Sequence, residues 1–313
     1  MSKYVISSSP HLRDNVSTTS IMRDVCIALL PAAVAGVLFF GYRSAIILAL
    51  SVAAAVLSEW LYCKAAHCRN TIGDFSAVVT GMLLAMNLPS TVPYWMPVIG
   101  SVIAILLCKM IFGGIGQNFI NPALAARAIL ALSWANLMNK FAAPAFGNLA
   151  GVDAVASATP IGAAAGTYTL GQLFLGNIPG TIGETCKLAL LIGAAYLFYK
   201  KVITWHIPAA FIGTFAVCYL LKTGFDVNAT LAQLLSGGLI LGAFFMATDY
   251  SSSPATAKGK IVFGIGCGLL LFIFRACKKT PAEWCSYAIL LMNVCSPLIE
   301  RVTGNKSFGE VKK

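Results

Sequence analysis

The chain has 313 residues, 58% of them hydrophobic and 11% charged, with a net charge of +11 and a mean hydropathy of +0.81. A soluble domain carries about twice that charged fraction, so the two water-exposed domains that length alone would allow are excluded in favour of a polytopic membrane protein. The bases stand singly or in pairs between apolar runs, as in Lys200-Lys201 and Lys278-Lys279, which suits topology signals beside lipid and not a nucleic-acid surface.

Residues 1–24 are polar and contain no apolar stretch followed by a cleavage site, so they read as a water-exposed N-terminal segment and not a removable signal. Ten apolar segments follow, each near the ~20 residues a helix needs to cross a bilayer. A first set covers 25–40, 44–62, 75–88, 94–112 and 119–135, and a second covers 184–199, 203–221, 229–248, 260–275 and 284–300. The chain therefore divides into a first five-helix repeat (25–135), a connecting loop (136–183), a second five-helix repeat (184–300) and a polar tail (301–313). The fold class is all-α.

Three segments, 75–88, 119–135 and 229–248, are short or interrupted by glycine. Such a segment leaves backbone groups unsatisfied in lipid unless it lies within protein or lines a cavity; the other reading is close helix packing through small residues. The third segments of the two sets are alike. Ser76-Ala77-Val78-Val79-Thr80-Gly81 leads to Leu88-Pro89-Ser90, and Leu235-Ser236-Gly237-Gly238 leads to Asp249 and Ser251-Ser252-Ser253-Pro254. Because five is odd, a duplicated five-helix unit must run the opposite way through the membrane, the inverted-repeat plan in which ligands bind where broken helices meet.

Charge sets the orientation. A cytoplasmic N-terminus puts Lys3, Arg13, Arg23, Lys64, Arg69, Lys109, Lys200, Lys201, Lys258, Lys260, Arg301, Lys306, Lys312 and Lys313 inside. The other side receives Arg43, Lys140, Lys222, Arg275, Lys278 and Lys279. Both termini are then cytoplasmic and the 136–183 loop faces outward, with the Arg275–Lys279 cluster as the one contrary signal.

Within that loop, Asp153-Ala154-Val155-Ala156-Ser157-Ala158-Thr159-Pro160 places a threonine hydroxyl among small residues, with room for a bulky substituent. Composition alone reads it as an ordinary small-residue loop. Arg127, inside the fifth segment, is an intramembrane cation and needs a partner, either helix-end carbonyls and a carboxylate or an anionic ligand. Asn118 and Asn121 flank the entry to the same segment and read either as caps before Pro122 or as amide ligands that both donate and accept. Glu59 and Asp249 are candidates for an ion pathway, or else interfacial carboxylates paired with nearby bases. Ten cysteines without a CxxC pair read as small apolar residues. His11, His67 and His206 lack metal-ligand spacing, and the methionines read as packing.

Ser9-Pro10-His11-Leu12-Arg13, Ile21-Met22-Arg23-Asp24-Val25 and Ala28-Leu29-Leu30-Pro31-Ala32 resemble the start of the D subunit of the Rnf ion-translocating electron-transport complex. So do Gly113-Gly114-Ile115-Gly116-Gln117-Asn118 with Asn121-Pro122-Ala123, Phe245-Met246-Ala247-Thr248-Asp249, and Ser286-Tyr287-Ala288-Ile289-Leu290-Leu291-Met292-Asn293. The resemblance covers nearly the whole chain. The B subunit of the sodium-translocating NADH:quinone reductase has a similar core, preceded there by an extra N-terminal region.

The resemblance implies FMN carried on Thr159 through a phosphoester made outside the cytoplasm by a flavin transferase, in a motif to which Asp153, Ser157 and Ala158 belong. Ala156 stands where Ser or Thr is common. In the quinone-reductase relative, the region equivalent to Asn118 and Asn121 is associated with a second, non-covalent flavin, riboflavin, and the resemblance makes flavin a candidate partner for Arg127. The implied setting is a prokaryotic cytoplasmic membrane. The implied partners are other Rnf subunits, including a second covalent-FMN subunit and iron–sulfur subunits. The implied function is electron relay between ferredoxin and NAD coupled to Na⁺ or H⁺ movement. The rival readings are the quinone-reductase B subunit and a cofactor-free inverted-repeat channel or transporter.

Overall fold

The computed structural model describes residues 16–68, 70–144, 146, 156–157 (backbone only), 160–161, 167–277 and 284–304. Each of the apolar segments contains helix. The first set forms α1 (Thr18–Phe40), α2 (Tyr42–Ala65), α3 (Ser76–Met86), α4 (Trp95–Ile105, continued by a π-helical turn Leu106–Met110) and α5 (Pro122–Ser133). The connecting region contributes the short helices α6 (Ala135–Met138) and α7 (Leu170–Leu175). It also holds a two-residue antiparallel ladder of β1 (Phe141–Ala142) with β2 (Ala156–Ser157), in which Phe141 faces Ser157. The second set forms α8 (Lys187–Tyr199), α9 (His206–Lys222), α10 (Val227–Leu235), α11 (Leu239–Leu241, continued by a π-helical turn Gly242–Met246), α12 (Ala257–Cys277) and α13 (Cys285–Thr303).

At ~1.5 Å per residue, α1, α2 and α12 reach about 32–36 Å. These three are long and apolar enough to cross a membrane. By contrast α3 and α5, at 11 and 12 residues, extend only about 17–18 Å, roughly half a hydrocarbon core. The 229–248 segment is a bent pair: α10 and the α11 helix meet at 67° across Ser236-Gly237-Gly238. All three segments expected to be broken or half-length are so. The protein is an all-α polytopic membrane protein.

The start of α1 differs from expectation. The helix begins at Thr18, ahead of the first apolar run, because Ser17 and Ser20 form a reciprocal capping box. Side-chain capping satisfies the first-turn amides, so polar residues through Asp24 join the helix and the apolar boundary near Val25 lies inside it.

α1 packs on α8, α2 on α3 and α4, and α9 along α12. Two of these contacts depend on missing side chains. A Cβ at Gly81 would lie 2.8 Å from Val52 Cα, and a Cβ at Gly193 would overlap the Ala28 carbonyl oxygen. The small-residue reading therefore also holds for α3, which is both half-length and tightly packed.

The interruptions are chemically sealed. Ile182 and Gly183 donate their N–H groups to the Leu88 and Met86 carbonyls (3.1 and 2.8 Å), so the end of the connecting region satisfies the end of α3. At the α10–α11 break, Arg275 donates to the Gln233 and Ser236 carbonyls (2.8 and 3.0 Å), and Lys187 donates to the Gly237 carbonyl at 2.7 Å. Freed carbonyls at membrane depth need such partners, and cations also suit the negative end of a helix.

Candidate functional site

Three interrupted elements converge inside the bundle: the C-terminus of α3 at Asn87, the N-terminus of α5 at Asn121, and the π-helical turn ending at Met246. The Asn121 amide oxygen accepts from the Ala123 and Leu124 N–H groups (3.1 and 3.3 Å), and its NH₂ donates to the Met246 carbonyl at 3.2 Å. Asn87 donates to the Leu83 carbonyl at 2.7 Å and touches the Met246 sulfur at 3.7 Å. Asn293 of α13, with its amide turned to suit its neighbours, accepts from the Asn121 N–H at 3.1 Å and donates to the Ile289 and Ser252 carbonyls.

Above this junction, toward the end of the bundle where α1 begins, lies a cavity of about 370 Å³. Apolar side chains from α1 (Ile21, Met22, Val25), α3 (Val79, Leu83) and Phe244 and Phe245 form its walls. Its polar lining includes Ser76, Thr80, Lys109, Asn118, Asn121 and Asp249. The N-terminus of α5 points into it through Asn121, Pro122 and Ala123, adding the partial positive charge of a helix start.

Asn118 and Asn121 thus share one cavity. Asn121 is a helix cap, as one reading required, while Asn118 donates to the Ile120 carbonyl at 3.1 Å and caps nothing. Asp249 lies in the turn after the broken helix and joins the same lining, accepting from the Ser251 and Ser252 hydroxyls, each at 3.1 Å. Burial raises its carboxyl above the usual range, against the pull of the Ser252 and Ser251 hydroxyls and the Asn118 amide.

Glu59 is wholly buried and stands outside the cavity, paired with Lys109 at 2.7 Å and accepting from the Thr71 hydroxyl. It is a paired carboxylate, although its partner is buried and not interfacial: Lys109, expected among the topology-setting bases, is 3% exposed. A lysine ending an apolar run reads the same in sequence whether it reaches water or a carboxylate on another helix. Arg127 does not line the cavity; its Nε donates to the Asn87 carbonyl at 3.2 Å and its Nη1 to the Ser286 hydroxyl, tying α5 to the end of α3 and to α13.

Asp153, Ala158 and Thr159 lie outside the described residues, and Ser157 is described only as backbone in β2. Their neighbour Pro160 lines a small crevice with Phe141, Glu184 and Lys187. Lys187 opens α8 and Leu197, near its other end, lines the large cavity, so crevice and cavity are about 15 Å apart along that helix.

Comparison with known proteins places the chain. The family described as NQR2, RnfD, RnfE matches residues 5–309. The D subunit of the Na(+)-translocating ferredoxin:NAD(+) oxidoreductase complex of Acetobacterium woodii is 49% identical, over 98% of this chain and 96% of its own. The D subunit of the proton-translocating ferredoxin:NAD(+) oxidoreductase complex of Clostridium ljungdahlii is 41% identical over 98% and 96%. The D subunit of an ion-translocating oxidoreductase complex of Vibrio cholerae is 34% identical over 98% and 99%. Identity of this degree along almost the full length, with the family match spanning both halves of the bundle, makes this chain a member of the NQR2, RnfD, RnfE family.

Proposed function

We propose that this chain is the flavin-carrying D-type subunit of an ion-translocating ferredoxin:NAD oxidoreductase, passing electrons within a larger membrane complex whose turnover moves Na⁺ or H⁺. In this reading both termini are cytoplasmic, the large cavity opens toward the cytoplasm, and the connecting region faces outward. The partners are the other membrane and peripheral subunits of the complex, among them a second covalent-FMN subunit and iron–sulfur subunits, together with a flavin transferase.

The observation that carries the reading is the cavity at the helix junction. Its volume of about 370 Å³ falls in the range of small-ligand sites, which combine apolar walls with a few convergent polar groups. A flavin ring needs that combination: flat apolar faces, and an edge of alternating carbonyls and N–H groups that amides can both donate to and accept from. Asn118 and Asn121 supply the amides, Lys109 a donor and Asp249 an acceptor. This is the place for riboflavin. FMN is assigned to Thr159, with Asp153, Ser157 and Ala158 as its motif.

Bound flavin supplies one- or two-electron chemistry, which links single-electron iron–sulfur donors to a hydride acceptor. The chain's own residues do the rest. The apolar walls keep water from the ring's faces, Asn118 and Asn121 set its orientation, and Asp249 supplies an acceptor beside it. The backbone seals at the two helix breaks keep the junction closed to lipid while leaving the cavity open on one side. Arg127 fixes the depth of the junction by holding α5 to α3.

The test is ferredoxin-driven NAD⁺ reduction by membrane vesicles from cells carrying the full complex. Thr159→Ala should abolish both NAD⁺ reduction and ion uptake, and a sodium ionophore compared with a protonophore reads which ion moves. An undiminished rate in Thr159→Ala overturns the covalent-flavin relay. Reduction of a quinone in place of NAD⁺ would favour the quinone-reductase B-type subunit.

A further inference from the structure

The Lys109–Glu59 pair has no part in the helix seals, and its position is unusual. Lys109 is the fourth residue of the π-helical turn Leu106–Met110, a feature that re-aims side chains and recurs at functional sites. Its ammonium donates to Glu59 Oε2 at 2.7 Å and to Ser76 Oγ at 2.5 Å. Glu59 accepts from Thr71 behind it, and Ser76 passes the chain of bonds on to Asp74. An ammonium has three donors, so one is left for the cavity that Lys109 itself lines. Glu59 is set one residue back, outside that lining. The cationic residue therefore borders the cavity while its counter-charge does not.

A buried ion pair is weak evidence for stability, since desolvation offsets most of the attraction. Here the pair turns its positive end, Lys109, to a wall that already carries the positive end of α5, with Asp249 supplying the only carboxyl side chain among the described residues of the lining. Such a cavity favours an occupant that gains negative charge. We propose that Lys109 tunes the cavity flavin, stabilising its reduced form over its oxidised form, and that Glu59 moderates this effect by holding part of the ammonium's charge. The inference rests on the flavin reading above. In the reduction, two electrons from the reductant and one proton from water add to the neutral ring, the proton at N5. One negative charge is left at the N1–C2 carbonyl edge, where a lysine ammonium can compensate it.

The experiment uses the full chain in lipid nanodiscs in a Thr159→Ala background, with riboflavin as the added flavin. Its midpoint potential is read from the visible absorbance during dithionite titration. Lys109→Met should favour the oxidised form at least tenfold, a fall of about 30 mV for a two-electron couple, while Lys109→Arg keeps the charge and stays near the parent. Glu59→Gln, which releases the ammonium, should shift the potential the opposite way. Lys109→Met combined with Glu59→Gln leaves no orphaned charge and guards against misfolding; it should shift the potential down, by less than Lys109→Met alone. A purely structural pair could not produce opposite signs from its two halves. Unchanged potentials with riboflavin still bound would overturn this inference and leave the flavin reading standing. Failure of the parent to bind riboflavin would overturn both.

Discussion

Asn121 serves the fold and the cavity at once, and the two roles separate experimentally. Replacing it with alanine removes the acceptor for the Ala123 and Leu124 amides and the donor to the Met246 carbonyl. Loss of an N-cap side chain costs about 0.5–2 kcal/mol, and stripping a buried carbonyl of its partner costs about 1–3 kcal/mol. The sum for Asn121→Ala is about 1.5–5 kcal/mol. Asn121→Ser retains a capping oxygen but does not reach Met246, so it should lose only the second part. Thermal unfolding of the full chain in detergent can be followed with a thiol-reactive dye, because Cys63, Cys108, Cys267 and Cys285 are buried in the folded state. The expected order of stability is wild type, Ser, then Ala. Riboflavin affinity should fall in both variants, including under conditions where Ser remains folded. Equal unfolding temperatures for wild type and Asn121→Ala would refute the cap and the junction contact together. A stable Ser variant with undiminished riboflavin affinity would refute the ligand role.

Two further outcomes follow from packing and burial. Gly193→Ala drives a Cβ into the Ala28 carbonyl oxygen, so α1 and α8 must separate. Overpacking of this kind costs about 1–3 kcal/mol, and because both helices wall the cavity, riboflavin binding should weaken as well; an unchanged unfolding temperature contradicts the close crossing. Asp249 has a folded-state pKa raised above its ordinary 3.8 by burial, so its favourable contribution is complete below pH 3.8 and is lost as pH rises through the folded value. The stability of Asp249→Asn relative to wild type should therefore increase as pH rises above 3.8 and level off above the folded-state value. A pH-independent difference would show that the buried carboxyl carries no such shift.

The helices were legible in the sequence because membrane burial leaves a one-dimensional signal. Apolar runs bounded by Gly, Pro and basic residues located α2, α8 and α9 to within three residues at each end, and glycine at 237–238 announced the break. The start of α1 was not legible from hydropathy, since a Ser17–Ser20 capping box extends helix into polar sequence. Pairings across the bundle were also hidden. Glu59 and Lys109 are fifty positions apart, and only the packing of α2 against α4 shows that one is the other's counter-ion. Arg127 illustrates the same limit: its position in an apolar helix demanded a partner, but the choice of the Asn87 carbonyl and the Ser286 hydroxyl needed three elements assembled. Asn118 and Asn121 were found because two amides beside a glycine-rich turn are visible locally, whereas Asn293, which locks Asn121 from α13, gave no local sign of its role.

Covalent flavin on this chain is tested most simply by ultraviolet in-gel fluorescence of the denatured protein after co-expression with a flavin transferase, run beside Thr159→Ala. A fluorescent band in the parent that disappears in the variant is the expected result and establishes covalent flavin at Thr159. A dark parent band, with the transferase active on another target, would contradict the flavin-relay reading and favour a cofactor-free transporter built on the same helices.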